Sequence, residues 1–198
     1  MLRKFYCTKT KLLWAPLNLA LGIEVDKFSE KASLGIECFT DELIQPSHEI
    51  FNHGLSYYRA YLKIKDDPET SNPSYVCLVF SIEIFLKCLE TRKTYQKEDS
   101  YTDTIVMYKV CDKPIPQSNK HDLKELFKKL SEETQETIKS AYKNECYRDF
   151  DEDLTAIAKG FMEWRYIYEG KVEVIYVSAL QNIGSFLARF SSNFLKIT

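Results

Sequence analysis

The sequence predicts a mainly α-helical protein, a helical bundle with a small β insert and an N-terminal extension. Glycine and proline number only 6 each among 198 residues, which favours long elements over the many turns of a β fold. Apolar residues recur at helical spacing in several segments after residue 46. One of these segments is apolar nearly all round, which is typical of a helix at the centre of a bundle.

Composition excludes several classes of protein. The net charge of −2 gives no overall positive field to attract nucleic acid, although a local patch is compatible with it. None of the 6 cysteines forms a C-x-x-C pair, so a reduced intracellular protein is the better interpretation than a disulfide scaffold. The basic N-terminus lacks a small-residue cleavage site, which argues against a signal peptide. We therefore expect a cytoplasmic protein.

Residues 1–45 are predicted to form an N-terminal extension packed on the main domain, which spans residues 46–198. The apolar runs Leu12–Trp14 and Leu17–Val25 fit either a strand pair or a short helix after Pro16. We assign no chemistry to this segment.

The first two helices of the main domain have clear boundaries. One is predicted from Gln45-Pro46-Ser47 to about Lys65, and the central one from the N-cap Asn72 to Glu90. Apolar residues cover most of the central helix: Leu78, Val79, Ile82, Phe85, Leu86 and Leu89 on one side, and Cys77, Phe80, Ile84 and Cys88 on the other.

A narrow polar strip of Glu83, Lys87 and Glu90 interrupts the apolar surface of the central helix. Such charges on a nearly buried helix need partners, because an unpaired buried charge is very costly. The same interruptions, and the short length of the segment, argue against a membrane span.

The insert, around residues 100–112, carries the β-branched and aromatic run Asp103–Val110, which predicts a strand or hairpin. Asn119 is then expected to cap a helix with Asp122 in a capping box, and Ser131 to cap the next. A long helix is predicted over Asp151–Gly170, and a last one over about Val174–Leu195.

Arg165 provides the main candidate site, because helical spacing places it between Phe161 and Tyr168 in an apolar arc. A guanidinium aimed at a core must be paired. Glu169 is a local partner, and Glu83, His121 and Asp122 are candidates from elsewhere. The cluster is either an ion-pair network that fixes helix register or a functional site.

Other candidates have simpler alternatives. Asp122 fits a helix cap, and His121 fits a solvated residue in the first turn. This is the favoured interpretation of the pair. Tyr57 and Tyr58 could stack on bases but, at helical spacing, are more often core residues. His48 and His53 lie five positions apart, too far round a helix to share a metal. Without a G-x-G-x-x-G or Walker A motif, no metal and no cofactor is expected.

Four segments in this order resemble the HEPN-domain family of helical bundles: GLSYYRAYLKI, SIEIFLKCLE, HDLKELF and FMEWRYIYE. The resemblance covers about residues 46–190. It implies a bundle from a prokaryotic defence or toxin–antitoxin system, a homodimer, and an antitoxin or nucleotidyltransferase as partner.

In the catalytic branch of that family, an Arg followed four to six residues later by a His forms a ribonuclease site. Arg165 matches the Arg, but no His follows it. The resemblance therefore implies a non-catalytic or divergent member that binds RNA, a nucleotide or a partner protein. Its ligand-binding residues would be Tyr57, Tyr58, Glu83, Lys87, Asp122, Arg165, Tyr168 and Glu169.

Two alternatives remain open. The first is a divergent metal-independent ribonuclease with Arg165 and His121 as catalytic residues. The second is a non-catalytic structural or dimerisation protein in which the cluster only holds helices together.

Overall fold

The computed structural model describes residues 4–7, 38–97, 105–117, 121–164 and 175–197. Within these ranges the chain is mainly helical with a small sheet, so the predicted fold class is confirmed. The helices are α1 (His48–Ile64), α2 (Ser71–Leu89), α3 (Leu123–Phe127), α4 (Glu132–Cys146), α5 (Phe150–Ile157), α6 (Gly160–Trp164) and α7 (Val177–Ile197). The strands are β1 (Lys4–Cys7), β2 (Cys38–Gln45), β3 (Thr91–Lys97) and β4 (Ile105–Pro114).

The chain divides into two compact units. One contains Met1–Leu43 and Arg92–Lys113, and the other contains Ile44–Thr91 and Pro114–Thr198. The four strands follow the order β1-β4-β3-β2, with β1 antiparallel to β4. The sequence analysis predicted a strand or hairpin over Asp103–Val110, where β4 lies, but did not pair it with the N-terminal segment. The runs at 12–14 and 17–25 lie outside the described residues.

The second unit is built around α2, as predicted. Leu78, Val79, Ile82, Phe85 and Leu86 of this helix are completely buried. The segment Pro68–Leu89 has the length and composition of a membrane span, but core helices of soluble proteins share these properties. Its packing against α1 and α7 identifies it as the core helix of this unit. A short 3-10 turn, Pro68–Thr70, leads directly into α2, which therefore starts slightly before the predicted cap.

Small residues let the neighbouring helices approach α2 closely. A Cβ added to Gly184 of α7 would lie 2.5 Å from Leu78, and one added to Gly54 of α1 would lie 2.9 Å from two ring carbons of Phe85. Neither glycine needs an unusual backbone angle, so their role is to leave space for α2.

We expect Gly54→Ala to destabilise the protein by about 1–2 kcal/mol. Alanine in mid-helix is favoured over glycine by about 1 kcal/mol, but overpacking against the fully buried Phe85 costs about 1–3 kcal/mol. Urea unfolding gives the difference, with the exposed Ser56→Ala on the same helix as the control. A more stable Gly54→Ala protein would contradict this packing.

The predicted helix over 151–170 is wrong between residues 157 and 160, where a turn separates α5 from α6. The carbonyl of Ala158 accepts a hydrogen bond from the Leu123 N–H at 2.9 Å. The Met162 N–H, which would use that carbonyl in a continuous helix, donates instead to Lys159 at 2.9 Å. A long-range contact has thus replaced one helical hydrogen bond. It also ties the start of α3 to the start of α6.

Candidate functional site

Glu83, on the polar strip of α2, lies at the centre of the candidate site. Its side chain is completely buried. The carboxylate accepts a hydrogen bond from Lys87 Nζ at 2.6 Å, one turn along the helix, and both its oxygens lie 3.0 Å from His121 Nδ1. A buried carboxylate is tolerated in such a place only because it is paired and hydrogen-bonded. Glu83, Lys87 and His121 are called the Glu83 cluster below.

The backbone at the start of α3 brings His121 to this position. His121 has a left-handed φ of 52°, uncommon for a residue other than glycine. Asp122 is the N-cap of α3, and its Oδ1 accepts from the N–H groups of Lys124 and Glu125 at 2.9 and 3.0 Å. The expected capping role of Asp122 is therefore present, and Asp122 is the N-cap in place of the predicted Asn119, which lies outside the described residues.

The favoured expectation for His121, a solvated first-turn residue, is wrong. His121 precedes the helix, and its Nδ1 faces the buried carboxylate of Glu83. Its side chain nevertheless remains 38% exposed. Because a carboxylate accepts hydrogen bonds, Nδ1 must carry the proton that it shares with Glu83. In the neutral ring, Nε2 on the opposite edge is then left as an acceptor.

Lys87 brings a positive charge to the same surface. Its side chain is 24% exposed, so the ammonium group is only partly withdrawn from water. An ammonium has three N–H donors, and Glu83 takes one of them. The exposed side of the Glu83 cluster therefore presents N–H donors from Lys87 beside one edge of an imidazole ring.

Aromatic side chains continue this surface away from His121. The Phe161 ring of α6 lies 4.7 Å from the His121 ring, and Phe80 of α2 stacks on Phe161 at 5.0 Å. Tyr57 of α1 meets Phe80 edge-on at 4.6 Å. We call Tyr57, Phe80 and Phe161 the aromatic row. Phe80 and Phe161 are partly buried, and Tyr57 is 39% exposed.

The structure separates the two tyrosines that the sequence analysis grouped. Tyr57 belongs to the aromatic row. Tyr58 is partly buried and packs against the rings of Phe85 and Tyr61 in the core. Burial raises the pKa of the Tyr58 hydroxyl, with a smaller opposing effect from Arg189. The core interpretation therefore holds for Tyr58, whereas Tyr57 is partly exposed and its predicted stacking on bases stays a prediction.

Arg165, Tyr168 and Glu169 lie outside the described residues. Their predicted place in the cluster, and the catalytic role of Arg165, therefore stay predictions. Sequence analysis missed Phe80 and Phe161 as site residues. The available signal was the position of Phe80 on the side of α2 opposite its main core face.

A second polar network, missed entirely by the sequence analysis, joins α4 to α5. Asp153 is buried and accepts hydrogen bonds from Tyr142 at 2.6 Å and from Arg148 at 2.6 and 2.5 Å. The hydrogen bond from Arg148 is the main cause that holds the pKa of Asp153 below its usual value, and the Tyr142 hydroxyl adds to it. The spacing of Arg148 and Asp153 across a turn gave no recognisable motif.

Cysteine and metal chemistry gain no support from the described parts of the chain. Burial raises the pKa of the Cys88 thiol to about 12, and burial also raises those of Cys77 and Cys146. A thiol in such a state is a poor nucleophile. Within the described ranges, no group of three His, Cys, Asp or Glu residues is placed to hold a metal ion.

Within the described ranges, the Glu83 cluster and the aromatic row form the best candidate site, since they combine an oriented imidazole, a lysine and, in Tyr57, an exposed ring. Comparisons of the chain with protein-family models, with curated proteins and with solved structures found no match.

Proposed function

We propose that the chain is a HEPN-like helical-bundle module that binds RNA or a nucleotide at the surface of the Glu83 cluster. The observation that supports this most is the pairing of a fully buried carboxylate with two partly exposed side chains, Lys87 and His121. Because these two side chains are partly exposed, a ligand in solution can reach their polar atoms.

The chemistry of the exposed groups fits a nucleotide. The free N–H donors of Lys87 suit a phosphate oxygen, since a lysine ammonium is a common point-charge partner for phosphate. The outward edge of His121 suits a second polar group of the same nucleotide, such as a ribose hydroxyl or a base N–H. The order of the four HEPN-like sequence segments supports the same proposal.

Lys87→Gln tests this proposal, because glutamine keeps an N–H donor for Glu83 but removes the charge. We expect the affinity for AMP and for a single-stranded hexa-adenylate to fall about tenfold, as for a charge-assisted hydrogen bond worth about 1.5 kcal/mol. Lys63→Gln, an exposed lysine in the last turn of α1, is the matched control. Isothermal titration measures the affinities. The proposal is contradicted if the native protein binds neither ligand, or if Lys87→Gln leaves the affinity unchanged.

One observation favours a second candidate, a divergent metal-independent ribonuclease. Glu83 holds the His121 ring by Nδ1, the arrangement in which a carboxylate orients an imidazole for acid–base catalysis. In this candidate Arg165 would stabilise the phosphate. Cleavage of total RNA by the purified protein, lost in His121→Asn, would favour it. Binding of RNA without cleavage would favour the non-catalytic binding module instead.

The remaining proposals concern partners and location. We propose a cytoplasmic homodimer that acts in a prokaryotic defence or toxin–antitoxin system with an antitoxin or nucleotidyltransferase. Sedimentation measures the oligomeric state, and the neighbouring genes identify the system. The structural alternative predicts that replacement of the whole Glu83 cluster by apolar residues leaves every binding activity unchanged.

A further inference from the structure

The Glu83 cluster contains one negative charge, one permanent positive charge and one group that changes its charge with pH. Glu83 is completely buried, and its carboxylate contacts both Lys87 and His121. An imidazole gains or loses its positive charge between about pH 5 and 8, whereas lysine ammonium groups normally keep theirs over this range. With a neutral His121, the carboxylate and the ammonium balance each other. With a protonated His121, the cluster carries an excess positive charge.

The proton that creates this charge has a defined place on the ring. Nδ1 of His121 lies 3.0 Å from both carboxylate oxygens of Glu83, so it already carries a proton when the ring is neutral. The second proton must therefore bind Nε2, the nitrogen that Glu83 does not use. Protonation turns Nε2 from an acceptor into a donor and leaves the Nδ1–H on the carboxylate. An oxygen of a fully ionised phosphate only accepts hydrogen bonds, so the protonated ring suits it and the neutral ring does not.

The other charged groups around His121 are engaged elsewhere or exposed in the parts of the chain that the structure describes. On the side of α6, the ring meets uncharged Phe161 at 4.7 Å, and the acid of that helix, Glu163, is exposed. Next to the ring in sequence, Asp122 caps α3, and Lys124 donates to a hydroxyl of α5 at 3.0 Å. The imidazole is therefore paired with the buried carboxylate of the cluster, and its second proton adds a charge that this pairing does not already balance.

We propose that protonation of His121 regulates the site, so that the Glu83 cluster binds a doubly charged oxyanion more tightly as the pH falls from about 8 to 5.5. This inference rests on the proposed function and adds its regulation. The ammonium group of Lys87 attracts the anion at both pH values. The imidazolium supplies a second positive charge in the same cluster, and hydrogen bonds from charged donors are about twice as strong as neutral ones.

Isothermal titration with sodium sulfate at constant ionic strength tests the proposal, because sulfate keeps its double charge over this range whereas phosphate does not. We expect native protein to bind sulfate about tenfold more tightly at about pH 5.5 than at about pH 8. His121→Asn keeps an N–H donor for Glu83 but cannot take up a proton, so its affinity should be the same at both pH values. His53→Asn, at an exposed position of α1, is the matched control and should retain the native pH dependence.

A second measurement uses the native protein alone, so it does not depend on the folding of a variant. If protonation of His121 favours the anion, bound sulfate must favour protonation of His121 by the same factor. The ¹H–¹⁵N signals of His121 should therefore titrate about one pH unit higher in saturating sulfate, the equivalent of a tenfold coupling. The signals of His53, outside the cluster, should titrate at the same pH with and without sulfate.

The outcomes separate this inference from the proposed function. Absence of sulfate binding, equal sulfate affinity at both pH values, or a pH dependence that persists in His121→Asn overturns the regulation by His121. The last result would assign the effect to another group, such as Glu83, whose protonation would release Lys87. AMP binding that depends on Lys87 would preserve the proposed function in each of these cases. If the native protein binds neither AMP nor sulfate at either pH, the proposed function and this inference fail together.

Discussion

Asp153→Ala is expected to lower the free energy of unfolding by about 2–4 kcal/mol, because it leaves a buried donor without its acceptor and removes charge-assisted hydrogen bonds. The substitution leaves the hydroxyl of Tyr142, a completely buried side chain, without its acceptor. It also removes both hydrogen bonds that Arg148 makes to the carboxylate. Urea unfolding at pH 7 measures the change.

Two variants serve as controls for Asp153→Ala. Glu152→Ala, at an exposed position of the same helix turn, should change stability by less than about 1 kcal/mol. Tyr142→Phe keeps the ring and removes one hydrogen bond, so it should cost about 1 kcal/mol. A loss below about 1 kcal/mol for Asp153→Ala would show that the network does not hold α4 to α5.

The same network sets a pH dependence. The folded protein holds the pKa of Asp153 below the ordinary value, mainly through the Arg148 hydrogen bond. Its contribution to stability is therefore complete above the unfolded-state pKa and is lost as the pH falls through the lower folded-state pKa. The stability difference between native protein and Asp153→Ala should be constant from pH 7 to 5 and shrink below about pH 4. A difference that grows on acidification would contradict this assignment.

The second large effect is expected when Glu83 loses both partners. In the double variant Lys87→Ala, His121→Ala, the carboxylate of Glu83 loses its ammonium and imidazole partners, and water reaches it only through the space that these two partly exposed side chains vacate. We expect a loss of about 2–4 kcal/mol in urea unfolding, below the full cost of an uncompensated buried charge because that space admits water. Addition of Glu83→Leu to the double variant should restore most of the stability, since an apolar side chain suits the buried position.

The matched control is Lys63→Ala with His53→Ala, which removes the same two residue types from exposed positions of α1. It should change stability by less than about 1 kcal/mol. A double variant at 87 and 121 as stable as this control would contradict the role of the two side chains as partners of a buried charge. So would a failure of Glu83→Leu to restore stability.

Local patterns explain the parts of the fold that could be predicted. The near-continuous apolar surface of α2, broken by a charged strip, indicated a buried central helix rather than a membrane span. Ser47 and Ser131 indicated helix starts, and both side chains accept the expected N-terminal hydrogen bonds. These signals act over a few residues, so one sequence is enough to detect them.

The candidate site depends on contacts that no local pattern contains. His121 and Glu83 are 38 positions apart, and a left-handed residue before α3 brings them together. The hydrogen bond between Leu123 and Ala158 breaks the predicted long helix and places Phe161 against His121. Sequence analysis could name Glu83 and Lys87 as charges in need of partners and His121 as a candidate partner of Arg165, but it could not pair His121 with Glu83.

We infer that buried Glu83 fixes the tautomer of His121, with the proton on Nδ1 and Nε2 left as an acceptor. Long-range ¹H–¹⁵N correlation spectra of labelled protein at about pH 8 test this directly, since histidine is normally neutral there. The chain has only 3 histidines, and His121→Asn assigns the signal. We predict a proton on Nδ1 and an unprotonated Nε2 for His121. A proton on Nε2, or rapid exchange between both tautomers, would contradict the claim.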